Sequence, residues 1–437
     1  MGAAITPPRL GARHSRRAAA AAVIGMATLL VPMLPAGAQQ ASERAPGWVD
    51  GRAPRYPHRH EMNERFRDRI AKVQQQILER NRNGEDLPCS SQILEEASWL
   101  VNYTDRRADA EERVDALEAS LKQSGEAQQW VRRPDPQDGS YGGCYREWFL
   151  RLQATVDPMT QLLQAGGRPR YPLRILEPVD SPEKIVAYFE RLVISQPEVD
   201  GVDRRKELNF AVTALGQLLF EPKLAGALPD DWPREQVAAA LIRFMDERWQ
   251  DPETGYWGAW YKVEDRIVKT EDLSITFHIA SYRGGRINDL PKLVRTTYLN
   301  RTRPYPYGWQ DRGSQNCHHA YDVVRLLRFG WPHMTELERA NAQAQIMIIL
   351  ARALRFAVTP DGQFDATPYN RMAEAYYFGV SLLDEVGYFR SSQNFWSTVD
   401  FAPDNEVLRE KILSQLDRSL ENDPMIQAAR AKLLARD

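Results

Sequence analysis

Hydrophobic residues recur three and four positions apart along most of the chain, with polar residues between them. This spacing puts apolar side chains on one face of an α-helix. The pattern occurs near residues 65–80, 91–122, 146–164, 183–195, 206–220, 234–249, 316–328, 336–357, 371–387 and 406–434. The strict alternation typical of a half-buried strand is rare, and 258–268 is the best short candidate. The pattern therefore predicts an all-α fold.

Residues at the ends of these segments support the helix assignment. Ser181 before Pro182 has the pattern of a helix N-cap followed by proline in the first turn. Thr335 and Glu338 have the spacing of a capping box. Loops rich in glycine and aromatic residues lie between the helices. The sequence has no fixed-period repeat, and this disfavours a regular solenoid. We expect paired helices arranged in a ring or a bundle.

The first 60 residues differ from the rest. Four arginines precede an uncharged apolar run over 18–35, and Ala36-Gly37-Ala38 then fits a cleavage site. We predict a signal peptide at 1–38, a polar linker at 39–60 and one helical domain at 61–437, in which 61–170 could pack as a subdomain. The alternative is an uncleaved membrane anchor, which Pro32 and Pro35 disfavour. The predicted location is secreted or periplasmic.

Charge narrows the choice of partners. Removing the first 38 residues, which hold four arginines and no acidic residue, changes the formal net charge from −2 to −6. A mildly acidic chain without long basic blocks is a poor nucleic-acid binder. No later stretch is long and apolar enough to span a membrane, so we expect no stable span in the mature chain.

The chain has three cysteines, Cys89, Cys144 and Cys317. Export would permit a Cys89–Cys144 disulfide with Cys317 left as a thiol, although three free thiols are equally compatible with the sequence. These spacings do not form a known metal site. We expect no cofactor, while a calcium or zinc ion held by residues distant in sequence stays compatible with the pattern.

The chemistry is expected around four histidines, since His278, His318, His319 and His333 lie within 56 positions. Imidazole is the side chain best suited to proton transfer near neutral pH. Asn316 is a natural N-cap for the helix that follows, so His318 and His319 fall in its first turn, where the helix dipole favours neutral imidazole. The alternative is a histidine pair with hydrogen bonds inside the core. Polar and aromatic residues alternate with the histidines: Tyr282, Arg283, Tyr305, Tyr307, Trp309, Arg312, Asn316 and Tyr321.

Two loops, 250–260 and 305–313, concentrate aromatic residues. Exposed aromatic rings are unfavourable unless they pack or bind a ligand, and sugar rings stack on Trp and Tyr. Trp257, Trp260 and Trp309 are candidate sugar-binding residues, with packing against helix ends as the alternative. A third segment, 365–377, contains Tyr369, Arg371, Tyr376 and Tyr377. A nearby arginine can lower the pKa of a tyrosine and make the phenol a usable base. An ordinary amphipathic helix is equally compatible with this segment.

These motifs resemble the polysaccharide lyases built on incomplete (α/α) toroids, of which alginate lyases are the familiar example. The family has a helical Asn-Asn-His-Ser-Tyr-Trp motif, and residues 317–322 are similar in the His319-x-Tyr321 portion. His318 stands where the family has its functional Asn, and Asp322 replaces Trp. Some fifty residues later the family carries an Arg and a Tyr, which Arg371 and Tyr376 or Tyr377 match in order. The resemblance covers about residues 200–390.

The resemblance implies an incomplete (α/α)6-7 toroid and an enzyme that cleaves an acidic, uronate-containing polysaccharide by β-elimination. It places His319 and Arg371 on the substrate carboxylate, with Asn316 or His318 assisting. Either Tyr376 or Tyr377 would be the base and acid, and His278 a second proton-transfer group. The residues implied to hold sugars are Trp257, Trp260, Tyr282, Arg283, Trp309, Arg312, Tyr321 and Tyr369.

Two other functions remain open at this point. A glycoside hydrolase on the same scaffold would need two carboxylates across the scissile bond. Candidate carboxylates are Asp272, Asp311, Asp322, Asp365 and Glu374. A non-catalytic exported glycan-binding protein would bind the same polymers without turnover.

Overall fold

The computed structural model describes residues 56–311, 315–369, 371–402, 404–416 and 423–437. These residues belong to one compact unit. Most of them are helical, which confirms the predicted all-α class. The predicted signal peptide and most of the predicted linker lie outside the described residues. The linker prediction is wrong at its end, because the first helix begins at Pro57, where the fixed φ of proline suits a first helical position.

Within the described ranges, helices of ten or more residues follow one another along the chain. They are α1 (Pro57–Arg82), α2 (Pro88–Tyr103), α3 (Arg107–Ser120), α4 (Trp148–Gln164), α5 (Pro182–Val193), α6 (Arg205–Phe220), α7 (Arg234–Phe244), α8 (Leu273–Tyr282), α9 (Leu290–Leu299), α10 (Cys317–Gly330), α11 (Glu336–Arg352), α12 (Met372–Glu385), α13 (Asp404–Leu416) and α14 (Pro424–Leu434). Four-residue helices lie at Glu126–Gln129 and Pro197–Asp200. In this part of the chain, no helix combines the length and the apolar character that crossing a bilayer requires.

Alternate helices contact one another in a cyclic order. Helix α4 contacts α6, α6 contacts α8, α8 contacts α10, α10 contacts α12, and α12 contacts α14, which in turn touches α4. The helices that lie between them in sequence pack against members of this series: α5 and α7 against α6, α9 and α11 against α10, and α13 against α14. The main hydrophobic core runs from Leu152 to Leu433 and fills the space between these helices.

Helices α1 to α3 have their own smaller hydrophobic clusters, one around Phe66 and Trp99 and one around Ile77 and Leu117. A disulfide joins Cys89, at the start of α2, to Cys144, just before α4, and their Cα atoms are 5.5 Å apart. The predicted pairing is therefore confirmed, and Cys317 is a buried free thiol.

The strands form one small sheet in the order β1 (Ile194–Ser195), β2 (Trp260–Val263) and β3 (Arg266–Lys269). Strand β1 pairs with β2 in parallel, with Ile194 opposite Trp260. Strands β2 and β3 are antiparallel. The single strand predicted at 258–268 is thus a hairpin, which turns at Glu264, where φ is 53°.

Three predicted caps are confirmed by their hydrogen bonds. The Ser181 hydroxyl accepts the backbone N–H of Lys184, and Thr335 and Glu338 form the reciprocal capping box. Asn316 caps α10. The prediction was wrong at 91–122, which is two helices separated at Thr104, an extended residue that bridges to Val202. It also missed α9.

Removing the disulfide should destabilise the fold. The bond closes a loop with a sequence separation of 55 residues, and the chain entropy that such a loop removes from the unfolded state corresponds to about 2–4 kcal/mol. The Cys89→Ser/Cys144→Ser variant should lose about this free energy of unfolding, as measured by urea denaturation. A reductant should shift the wild-type transition and leave that of the double variant unchanged. An unchanged midpoint in the double variant would contradict the expectation.

Candidate functional site

The first turn of α10 is held by three separate hydrogen bonds. The Asn316 side chain accepts the backbone N–H of His318 at 3.0 Å. The Tyr369 hydroxyl accepts the N–H of Cys317 at 2.8 Å. Asp311 Oδ2 accepts the N–H of Asn316 at 2.9 Å. These bonds satisfy N–H groups that a helix start leaves free, so the two histidines of this turn have defined and different directions.

His319 points toward the preceding loop. Its Nδ1 lies 2.6 Å from Asp311 Oδ1, and its Nε2 lies 3.4 Å from Asn316 Nδ2. The ring stacks on Tyr305, with centroids 3.5 Å apart. Because both ring nitrogens face protein groups, the structure does not leave His319 free to bind a substrate carboxylate. The amide of Asn316 is engaged at both its oxygen and its nitrogen, so its assisting role is not supported either.

His318 points the other way and keeps 29% of its side-chain surface exposed. Its ring stacks on Phe378 of α12 at 4.0 Å, and its Nε2 lies 3.7 Å from Asp322 Oδ1. The pKa of His318 is lowered well below its usual value, first by burial and then by the positive charges of His319 and His278. The imidazole is thus neutral as predicted, but burial rather than the helix dipole is the larger cause.

His278 lies on the neighbouring helix α8. Its ring stacks on Tyr282 with centroids 5.7 Å apart, and its Nδ1 has no hydrogen-bond partner among the described residues. Burial, with a contribution from Arg205, lowers the pKa of His278 to about 3. Tyr282 fits closely against α6, because a Cβ at Gly216 would meet its ring carbon Cδ2 at 2.8 Å.

The two tyrosines of α12 have different surroundings. Tyr376 is 3% exposed and packs edge-on against Phe364, whereas Tyr377 is partly open to solvent. Burial raises the pKa of Tyr376 to about 12. Burial and then the Asp157 carboxylate raise the pKa of Tyr377 to about 12. The expectation that Arg371 lowers a tyrosine pKa here was wrong, and both phenols are protonated near neutral pH.

Arg371 is the residue before α12, and its guanidinium pairs with Asp423 at 3.2 Å and with Glu374 at 3.5 Å. It also faces Asp157 of α4, a residue that the sequence analysis missed. Burial raises the pKa of Asp157, and the charge of Arg371 opposes this shift. Yet the Asp157 side chain is solvent-exposed. Asp157 is thus an accessible carboxyl whose surroundings disfavour its charged form.

Side chains from α4, α8, α10 and α12 share this property. Each is partly or fully open to solvent, and burial is the largest influence on its pKa. They also interact electrostatically with one another: His278 with His318, Tyr282 with Tyr377, and Tyr377 with Asp157. We call them the cleft residues: Asp157, His278, Tyr282, His318, Tyr321 and Tyr377.

The carboxylates considered for hydrolysis are mostly unavailable. Asp322 is fully buried, and its Oδ2 accepts the Tyr305 hydroxyl at 2.9 Å. Burial raises the pKa of Asp322 well above its usual value. Asp272 is fully buried in an ion pair with Arg205 at 2.6 Å. Neither side chain is accessible to a polymer.

Two of the predicted sugar-binding residues belong to the core. Trp257 has no exposed surface, and its indole N–H donates to the Met245 carbonyl at 2.9 Å. Arg283 is buried in a two-pronged pair with Asp246, at 2.5 and 2.8 Å. Tertiary packing encloses both side chains, so the structure gives their predicted binding roles no support. Trp260 lies on β2 beneath the ammonium group of Lys269.

The other predicted sugar-binding residues lie in different parts of the structure. Tyr321 is a cleft residue, and Trp309 lines a separate cavity beside Asp311. Tyr369 is 8% exposed and is used to hold the start of α10, so its predicted contact with sugar was wrong. Arg312 lies outside the described residues.

The cleft is the basis for assigning a function. Within the ranges that the structure describes, no three His, Cys, Asp or Glu side chains are grouped as a metal ion would require. Comparisons with protein-family models, with curated proteins and with solved structures found no match to this chain.

The cleft histidines should stay neutral in mildly acidic solution. An unfolded chain protonates His278 near pH 6.5, whereas the folded protein does so only near pH 3. Because the unfolded state then binds more protons, the free energy of unfolding should decrease as the pH falls from about 6.5 toward 3. Nitrogen-15 NMR of the imidazoles should show neutral His278 and His318 at pH 5, with His278→Gln and His318→Gln as assignment controls. Protonation of either near pH 6.5 would refute the described surroundings.

Proposed function

We propose that this chain is a polysaccharide lyase that cleaves a uronate-containing polymer by β-elimination in the cleft. The observation that carries the proposal is that His278, His318 and Tyr377 lie on successive contacting helices, α8, α10 and α12, and that each is partly exposed. The pKa of each imidazole is lowered, and the pKa of the phenol is raised. Pairs of groups whose surroundings push their pKa values apart are the usual source of a base and an acid. Export to the periplasm or the medium, expected from the first 38 residues, belongs to the same proposal.

The cyclic order of helix contacts supports an incomplete (α/α) toroid as the architecture. Helices α4, α6, α8, α10, α12 and α14 would form the inner ring, and α5, α7, α9, α11 and α13 the outer one. On this interpretation all cleft residues come from inner helices, so the cleft lies inside the ring, where a sugar chain could enter.

The proposed reaction starts with a proton beside the uronate carboxylate. An unprotonated imidazole nitrogen, such as Nδ1 of His278 or a ring nitrogen of His318, accepts this proton. In the free protein these imidazoles are weak bases, because burial lowers the pKa of each. An anionic substrate changes that, since a negative charge close by stabilises imidazolium and raises the histidine pKa. The substrate would thus help to activate its own base.

Tyr377 would act as the acid. Its raised pKa keeps the phenol protonated, and the phenol gives its proton to the glycosidic oxygen as that bond breaks. The electron pair of the broken C–H bond forms the new C=C bond, and the glycosidic oxygen leaves as a hydroxyl. Donors near the carboxylate stabilise the charge that develops on it. Arg371, which acts electrostatically on Asp157 beside Tyr377, is the candidate donor for this charge.

A glycoside hydrolase is the second candidate, and Asp157 is the observation that favours it. An exposed carboxyl with a raised pKa is the usual general acid of such enzymes. Hydrolysis leaves an ordinary reducing end, whereas elimination leaves an unsaturated uronate that absorbs ultraviolet light. A glycan-binding protein would give neither product.

Incubation with a panel of uronate polymers, followed by ultraviolet absorbance, tests the proposal directly. Tyr377→Phe should lower kcat by about 100- to 10,000-fold, as expected for loss of a proton-transfer group. Tyr376→Phe is the matched control, because it removes the same hydroxyl from the adjacent, buried tyrosine and should leave kcat within about twofold. Equal effects of the two substitutions, or the absence of absorbing product from every polymer, would reject the assignment.

Asp157→Asn separates the two candidate reactions. An amide keeps a neutral hydrogen-bond donor, so a lyase should retain most of its ultraviolet-detected rate. A hydrolase that uses Asp157 as its acid should lose about 100- to 10,000-fold in reducing ends released. Both products are measured on the same samples, and Asp365→Asn, an exchange outside the cleft, serves as the control.

A further inference from the structure

A second cavity lies on the opposite side of α10 from the cleft. Its volume is about 450 Å³, and its walls include Ala320 and Val323 of α10. On the same helix His318 and Tyr321 face the cleft, so the two spaces are separated by the helix itself. A volume of this size is in the range of small-molecule sites.

The walls of this cavity carry more positive than negative charge. Arg301 and Arg352 both line it, and neither forms an ion pair with any residue that the structure describes. The carboxylate in the wall, Asp311, contacts the His319 ring and accepts the backbone N–H of Asn316. Two guanidinium groups thus share the cavity with one carboxylate, and both are available to an anion.

Arg301 is held in position before any ligand arrives. Its guanidinium carbon lies 4.5 Å from the centre of the Tyr298 ring, and its Nη1 donates to the Tyr298 carbonyl at 3.2 Å. An arginine fixed at one end loses less side-chain entropy when its remaining N–H groups bind an oxyanion. Arg352, on the last turn of α11, is exposed, and its long side chain lines the same cavity.

The other walls have the character of a sugar site. Trp309 is half-buried and packs edge-on against Tyr298 at 6.2 Å, which fixes its ring. Ile348 is 44% exposed although it is apolar. The side-chain amides of Gln310 and Gln345 also line the cavity. An aromatic wall, amides and arginines together match a ring that has apolar CH faces, hydroxyl groups and one oxyanion.

We infer that this cavity is an accessory binding site for a sugar residue that carries an oxyanion, either a carboxylate or a sulfate ester. Arg301 and Arg352 bind the oxyanion, and the Trp309 wall contacts the ring. The site is separate from the cleft, and the inference concerns binding alone, so it does not require the cleft to be catalytic.

The Trp309 indole N–H, assigned in the nitrogen-15 NMR spectrum with Trp309→Phe, reports on this site in the full chain. D-Glucuronate and a glucosamine 6-sulfate are the two oxyanion-bearing probes, and glucose and inorganic sulfate are the controls. At least one of the two sugar anions should shift the indole signal in a saturable way, and which one does so identifies the oxyanion. Glucose and inorganic sulfate should bind at least about tenfold more weakly, since glucose lacks the oxyanion and inorganic sulfate lacks the sugar ring.

Arg301→Gln/Arg352→Gln should weaken sugar-anion binding by at least about tenfold, because the variant loses both guanidinium groups that form charge-assisted hydrogen bonds to the oxyanion. Arg355→Gln is the matched control: it removes an exposed arginine one turn further on that does not line the cavity, and it should leave binding unchanged.

Arg352→Gln alone, at an exposed position that tolerates exchange, should show part of the loss. Tyr377→Phe should not alter binding here, which separates this site from the cleft. Full affinity in the double variant, or equal binding of inorganic sulfate, would overturn the inference.

Discussion

The packing of the first turn of α10 against α12 is the contact on which the site depends. His318 stacks on Phe378, and the Tyr369 hydroxyl ahead of α12 accepts the Cys317 N–H. These two contacts join segments about fifty residues apart in sequence. The same packing removes water from one side of the His318 ring, so it determines both where the imidazole lies and which protonation state it holds. Geometry and acidity are therefore not independent properties of this site.

Burial, more than any particular ion pair, shapes the electrostatics of the cleft. It keeps the imidazoles and phenols in their uncharged forms and raises the pKa of the Asp157 carboxyl. A space lined by neutral groups costs little to desolvate when a ligand enters. An anionic ligand then supplies the charge that the cleft lacks, and it shifts the imidazoles toward protonation. The chemistry proposed for the cleft is thus conditional on occupancy, which limits stray proton transfer in the empty protein.

The local sequence pattern was sufficient to predict most of the helices and the residue at which α10 starts. Periodicity and capping depend on residues a few positions apart, and these are visible in any sequence. The predictions that were wrong concern residues whose surroundings come from distant parts of the chain. Asp157 carries no local sign of its role, because its neighbours in the cleft come from α8, α10 and α12. Trp257 was expected to meet ligand, yet Met245 and the core enclose it. The direction of the Tyr377 pKa shift was also wrong, because burial and the charges of Asp157 and Glu221 raise this pKa, while Arg371 is paired with Asp423. Helix α9 was missed because ten residues offer few periods of the apolar pattern.

The absence of a side chain at Gly216 has a consequence for the surroundings of His278. A Cβ at this position would meet Tyr282 Cδ2 at 2.8 Å, so the Tyr282 ring can lie as it does against α6 only while residue 216 is glycine. The same ring stacks on His278, with centroids 5.7 Å apart. One added methyl group on α6 would therefore displace the ring that shields an imidazole on α8, and the missing carbon atom helps to define the acidity of a side chain on another helix.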